Sequence, residues 1–130
     1  GAPLFIKEHC NYYNMTYKTF DKAIYIYRNG FDTLLSYWHF KNAQSPGLYK
    51  NIENFSEYYW GDFGHWGDNL FSWLQDTQTN KSHNVYPISY EYLMKEPVNA
   101  VKNCMEFLQY DISEGEIQKA IDLSSKEKMK

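Results

Sequence analysis

Arginine is almost missing from this chain of 130 residues, with Arg28 alone against twelve lysines. Cysteine is scarce as well. Cys10 and Cys104 form no CxxC, which removes zinc-finger and dithiol redox chemistry from consideration. One disulfide between them stays open, with nothing in the sequence to support it. No GxxxxGK[ST] stretch is present, so nothing supports a nucleotide kinase or another enzyme built on that phosphate loop. No apolar run reaches membrane-spanning length, and no signal peptide or low-complexity tract is visible. A net charge of -3 argues against a general nucleic-acid binder, so any anion site must be local. His39, Asp62, His65 and Asp68 fit no ligand spacing, and no metal is expected. The chain also lacks an initiator Met. Its start at Gly1-Ala2-Pro3 and its end at Lys126-Glu127-Lys128-Met129-Lys130 read as cuts through a larger domain.

What is present is aromatic. Phe, Trp and Tyr make up 19% of the chain, a composition suited to a core and to pocket walls for flat ligands. Residues 4–7 and 84–89 read as strands. Residues 22–27 are the clearest strand, since β-branched and aromatic side chains dominate them. Residues 11–21 read as a loop, and residues 48–59 leave room for a short helix. Helical spacing over 33–41 turns Leu34, Leu35, Trp38 and Tyr37 inward, and Ser45-Pro46-Gly47 ends that segment. Gly61, Gly64 and Gly67 mark a loop, from which Asp68 caps a helix over 69–77 with Leu70, Trp73 and Leu74 on its apolar face. A polar connector covers 77–83. Pro97 suits the first turn of a helix carrying Val98, Val101, Met105 and Leu108. Ser113 begins a last helix over 114–123, with Ile117, Ala120 and Ile121 inward. Strands alternating with helices predict an α/β fold with a parallel sheet flanked by helices, in a single partial domain over residues 1–130.

Arg28 follows the strand Ala23-Ile24-Tyr25-Ile26-Tyr27 and precedes the turn Asn29-Gly30, after which Asp32 opens a helix. Strand, turn and helix start in that order make an anion site. Free amides and a partial positive charge meet there, and the planar donors of Arg28 suit phosphate oxygens. The plain alternative is a surface Arg paired with Asp32 or another carboxylate.

Four stretches, in order, resemble the sulfotransferase family. They are Phe5-Ile6-Lys7-Glu8-His9; Ile24-Tyr25-Ile26-Tyr27-Arg28-Asn29-Gly30-Phe31-Asp32 running on to Ser36-Tyr37-Trp38-His39-Phe40; Gly64-His65-Trp66 with Trp73; and Val85 to Glu91 followed by Pro97, Phe107 and Leu108. The second is the most specific. Ser124-Ser125-Lys126-Glu127-Lys128-Met129-Lys130 is a weaker echo. The chain departs from the family pattern where Gly30 replaces a Pro, Asn69 a His, and Lys126 an adenine-stacking Phe. The family's Pro-Lys-x-Gly-Thr-Thr loop and its Arg-Lys-Gly segment are absent from these residues. The resemblance is therefore to the central part of the domain, with the family's P-loop-type nucleotide-binding fold truncated at both ends.

That resemblance implies transfer of a sulfuryl group from 3′-phosphoadenosine-5′-phosphosulfate to a hydroxyl or amine of a small-molecule or carbohydrate acceptor, without a metal. It implies His9 as the base that takes the acceptor's proton, with Lys7 beside it as a cation for donor or acceptor oxygens. Lys7 and His9 would leave an extended segment on one face. Arg28 and Ser36 would hold the 3′-phosphate, and Tyr90 would contact the nucleotide. Each has a plainer reading: a surface His, a solvated Lys, a mid-helix Ser bonding its own backbone, a packed Tyr. The rival function is a catalytically inactive nucleotide-binding or interaction module. These 130 residues alone are expected to be inactive. The compartment expected is the cytoplasm, with the Golgi lumen open if a leader precedes the chain.

Overall fold

The computed structural model describes residues 5–7, 9, 21–47, 51–53, 55, 65–78 and 84–128. The expected loop over 11–20, the glycines at 61 and 64, and most of the connector over 77–83 lie outside them. The described elements run β1 (Ala23–Tyr27), α1 (Gly30–Gln44), α2 (Trp66–Gln78), β2 (Val85–Ser89), α3 (Tyr90–Lys95), α4 (Pro97–Leu108) and α5 (Glu114–Lys128). The chain divides into two compact units. One comprises residues 1–20 and 29–82, and the other comprises residues 21–28 and 83–130.

The second unit holds the sheet. β1 and β2 pair in parallel from Ala23 opposite Val85 to Tyr27 opposite Ser89. Parallel neighbours need a long crossover, which the chain between residues 28 and 84 supplies. The Ala23 N–H donates to the Asn84 carbonyl at 2.8 Å. Alternation along the strand then turns the backbone groups of Tyr86 and Ile88 toward β1 and those of Pro87 away from it. This is how a proline, which has no N–H to give, sits mid-strand without breaking the ladder.

Val85 and Ile88 of β2, Ala100 of α4 and Ile117 of α5 are buried and form this unit's core. Lys22, just before β1, donates from Nζ to the Phe107 carbonyl at 2.7 Å in the last turn of α4. A cation there also complements the helix dipole. Phe107 in turn stacks on Tyr86, with ring centroids 5.4 Å apart. Tyr25 and Tyr27, two apart on β1, stack at 6.3 Å. Burial pushes the Tyr25 phenol up to about 12. Cys104 on α4 is a free thiol, and burial raises its pKa.

Among the described residues of the first unit, Phe55, Ser72 and Trp73 are buried. Tyr37 of α1 meets Phe55 edge-on at 5.5 Å and stacks against Phe40 at 6.4 Å. α1 itself buries no residue, so Leu34, Leu35, Tyr37 and Trp38 are only half-covered. The helix-spacing expectation therefore gave their face but overstated its depth.

Five expectations are corrected. Phe5, Ile6 and Lys7 are outside any strand, and Phe5 and Ile6 are 71% and 46% exposed, whereas a strand of a parallel sheet is ordinarily covered on both faces. α1 starts at Gly30, earlier than the apolar spacing indicated, and its cap is Asn29 instead of Asp32. Asp68 likewise lies within the first turn of α2, and Asn69 N–H bonds the His65 carbonyl at 2.9 Å. α3 was not expected at all. Ser89 caps it by accepting from the Tyr92 N–H at 3.1 Å, a hydroxyl making the local bond that starts a helix. Ala120 is exposed on α5, while Ile117 is buried as expected.

Candidate functional site

The end of β1 carries the candidate anion ligand, and the parallel pairing decides what stands beside it. The register closes with Tyr27 opposite Ser89. The next residue on each strand is Arg28 and Tyr90. The Arg28 guanidinium carbon lies 4.6 Å from the centroid of the Tyr90 ring and over its face. Two residues picked separately from the sequence are thus brought together by the sheet. Both are half-buried, so the cation is partly desolvated and its pull on an anion is less screened than at an open surface.

The turn after Arg28 corrects the expected chemistry. Asn29 Oδ1 accepts from the backbone N–H of Phe31 at 3.0 Å and of Asp32 at 3.2 Å. The Thr33 N–H bonds the Asn29 carbonyl at 2.9 Å, and the Thr33 hydroxyl bonds it as well. The first-turn amides that a phosphate would use are thereby occupied in large part by the cap. Asp32 adds a negative charge to the same turn. Any strong hold on an anion here must come from side chains instead of the helix end.

Gly30 is the first residue of α1, and the Trp66 indole lies against it. A Cβ built at Gly30 would stand 3.0 Å from Cδ2 of that ring. The missing side chain lets the indole approach the backbone this closely. This gives a packing reason for glycine at a position where a turn alone could accept several residues.

Ser36 lies on α1 and is exposed. Lys7 and His9 are exposed as well, and neither is in a helix or a strand. The same-face expectation for that pair, made for an extended segment, runs through residue 8, which lies outside the described residues. The His9 carbonyl accepts from Asn69 Nδ2 at 3.4 Å, a long bond that ties the backbone of His9 to the first turn of α2. Lys7, His9 and Ser36 belong to the first unit, and Arg28 and Tyr90 to the second. Sequence reasoning missed Asn29 as the cap and the contact of Arg28 with Tyr90. An Asn directly before a helical run was the available signal for the first. The second depends on strand register, which one sequence does not disclose. Among the described residues, no group of three or more His, Cys, Asp or Glu side chains could hold a metal ion. No described helix is long and apolar enough to cross a membrane.

Comparison with known proteins places this geometry in context. The family model for the sulfotransferase domain matches residues 1–130. Rat sulfotransferase 1A1 is 29% identical, with the match covering 99% of this chain and 46% of that protein. Human sulfotransferase 1C2 is 27% identical over 84% of this chain and 37% of its own length. The chain thus spans less than half the length of these relatives. Among solved structures, mouse sulfotransferase SULT7A1 complexed with PAP superposes with a TM-score of 0.72 at 32% identity, covering 86% of this chain and 42% of that one. Retinol dehydratase, solved with androsterone and inactive cofactor PAP, shares the fold with a TM-score of 0.63 at 20% identity, over 75% of this chain and 29% of its own. With a model match over its whole length, a parallel α/β sheet and a structural relative of the same kind, the chain belongs to the sulfotransferase family.

Proposed function

We propose that the complete protein transfers a sulfuryl group from 3′-phosphoadenosine-5′-phosphosulfate to a hydroxyl or amine, and that residues 1–130 form the central part of a single domain. The observation that carries this reading is Arg28, the chain's sole guanidinium, half-buried at the end of a parallel strand and seated on Tyr90. Ligands of open parallel sheets bind at the carboxyl ends of the strands, and Arg28 and Tyr90 stand directly past two such ends. The PAP in the mouse relative's structure supports a nucleotide of that class.

In this reading Arg28 and Ser36 hold the 3′-phosphate, and Tyr90 contacts the nucleotide. His9 takes the acceptor's proton as its oxygen or nitrogen attacks sulfur. The sulfur–oxygen bond to the nucleotide's phosphate breaks in the same displacement, which leaves adenosine-3′,5′-bisphosphate. Charge spreads over oxygens in such a loose transition state, so positioned cations such as Lys7 lower its energy without forming a covalent bond. The acceptor is a small molecule or a carbohydrate. The androsterone in the retinol dehydratase structure is of the first kind. No metal takes part in the proposed step. Relatives named cytosolic sulfotransferases, such as Arabidopsis cytosolic sulfotransferase 6, support the cytoplasm as the compartment.

The test is turnover. The complete protein, given 3′-phosphoadenosine-5′-phosphosulfate and a panel of phenols, alcohols, amines and sugars, should release adenosine-3′,5′-bisphosphate in step with a sulfated acceptor. Nucleotide binding without turnover on any acceptor class would favour the inactive binding module. Neither binding nor turnover would overturn the reading.

A further inference from the structure

A general base works only within reach of the proton it takes, and a misplacement of about 1 Å can cost about 100-fold in rate. His9 is exposed and lies in neither a helix nor a strand. A residue outside regular structure is placed by the bonds its own atoms make, and ordering it costs entropy that those bonds must offset. One such bond reaches His9 from α2, where Asn69 Nδ2 donates to the His9 carbonyl at 3.4 Å. Asn69 is itself anchored. Its N–H donates to the His65 carbonyl at 2.9 Å. Its own carbonyl accepts from Ser72 Oγ at 2.7 Å, and Ser72 is 1% exposed. Trp73, next along the helix, is buried as well. Trp66, the first residue of α2, lies with its indole against Gly30 at the start of α1. All of these residues belong to the first unit. The Asn69 amide therefore extends from a well-packed helix start to a residue outside regular structure. It meets the backbone of His9, so this contact places the residue without engaging the imidazole nitrogens.

We propose that Asn69 is a positioning residue for the base. Its side-chain amide ties the His9 backbone to the first turn of α2 and so sets where the imidazole meets the acceptor. The inference rests on the reading of His9 as the base and adds a residue that acts through it. Loss of the amide lowers the rate of the step in which the acceptor's proton is taken. It does not lower the affinity for the nucleotide, because Asn69 acts on the base and not on the donor.

The experiment measures kcat and the donor KM of the complete protein at saturating acceptor, with calorimetric affinity for adenosine-3′,5′-bisphosphate as the check that each variant is folded. Asn69→Ala should lower kcat by about 3- to 10-fold, the scale of one neutral hydrogen bond, with donor KM and nucleotide affinity unchanged. Asn69→Gln keeps an amide donor and should recover most of the lost rate. In the His9→Ala background, Asn69→Ala should lower kcat no further, since its effect passes through His9. An unchanged kcat in Asn69→Ala would overturn the inference, as would a Gln variant no faster than the Ala variant. So would the same loss with His9 already removed, which would place the action of the amide elsewhere. A fall in nucleotide affinity together with kcat would show a general loss of structure and would overturn it too. Full activity in His9→Ala would instead defeat the underlying reading of the base.

Discussion

The two units of this chain are held in different ways. The strand-bearing unit has a parallel pair in register, four buried apolar side chains spread over β2, α4 and α5, and a lysine bonded from the start of β1 to the end of α4. In the other, α1 buries nothing, and its aromatic side chains touch one another at half-covered surfaces around Phe55. The candidate residues follow this division. Arg28 and Tyr90 belong to the unit with the sheet, whereas Lys7, His9 and Ser36 are exposed residues of the other. Under the proposed function, ground-state recognition of a nucleotide would gain from a partly buried cation, and an exposed base would suit an acceptor that has to enter and leave.

The largest effect should come from the first unit. His9→Ala in the complete protein should cut the transfer rate by about 100-fold or more, the usual worth of a positioned general base, while nucleotide affinity changes little. Steady-state rates with separate binding titrations check this. A variant with full activity would exclude His9 as the base.

Stability should divide the other way. Ile117→Ala, in the core of the sheet-bearing unit, should cost about 2 to 4 kcal/mol in urea denaturation of the complete protein. Phe40→Ala, at an exposed site on α1, should stay within about 1 kcal/mol. Equal costs would erase the contrast between the units.

How far the sequence disclosed this arrangement follows the same contrast. β1, β2 and the helix opened by Pro97 were legible, because β-branched strands, apolar spacing and a proline at a helix start are local features. Arg28 stood out as a candidate because it is the chain's single arginine. Residues 5–7 were misread as part of a strand, since a short hydrophobic run becomes a strand only where a neighbour pairs with it. The cap of α1 was assigned to the wrong polar residue. Asn29 and Asp32 both suit that role, and backbone geometry chose the earlier one. The seat of Arg28 on Tyr90 was hidden, because the two lie 62 positions apart in sequence, by subtraction of their numbers, and meet only through register.

A smaller effect should mark that cap. Asn29→Ala removes the acceptor for two amides and should cost about 1 kcal/mol, read by the same denaturation experiment. Asn29→Asp should restore most of it. No loss in Asn29→Ala would mean that solvent satisfies those amides equally well.

The smallest expected effect is alkaline. The Tyr25 phenol is pushed up to about 12 by burial, above its ordinary value near 10 in the unfolded chain. The folded state therefore holds this proton more tightly. Stability from the neutral phenol is fully present below about pH 10 and is lost as pH rises from there toward about 12. Melting temperature against pH should fall less steeply in Tyr25→Phe over that window. Identical slopes would show that the phenol is as solvated folded as unfolded.

The most direct measurement is a crystal structure of the complete protein with adenosine-3′,5′-bisphosphate. The expected result puts oxygens of the 3′-phosphate within about 3 Å of both the Arg28 guanidinium and the Ser36 hydroxyl, with Arg28 still over Tyr90. A nucleotide bound with its 3′-phosphate on other residues, and Arg28 turned away from it, would contradict the account.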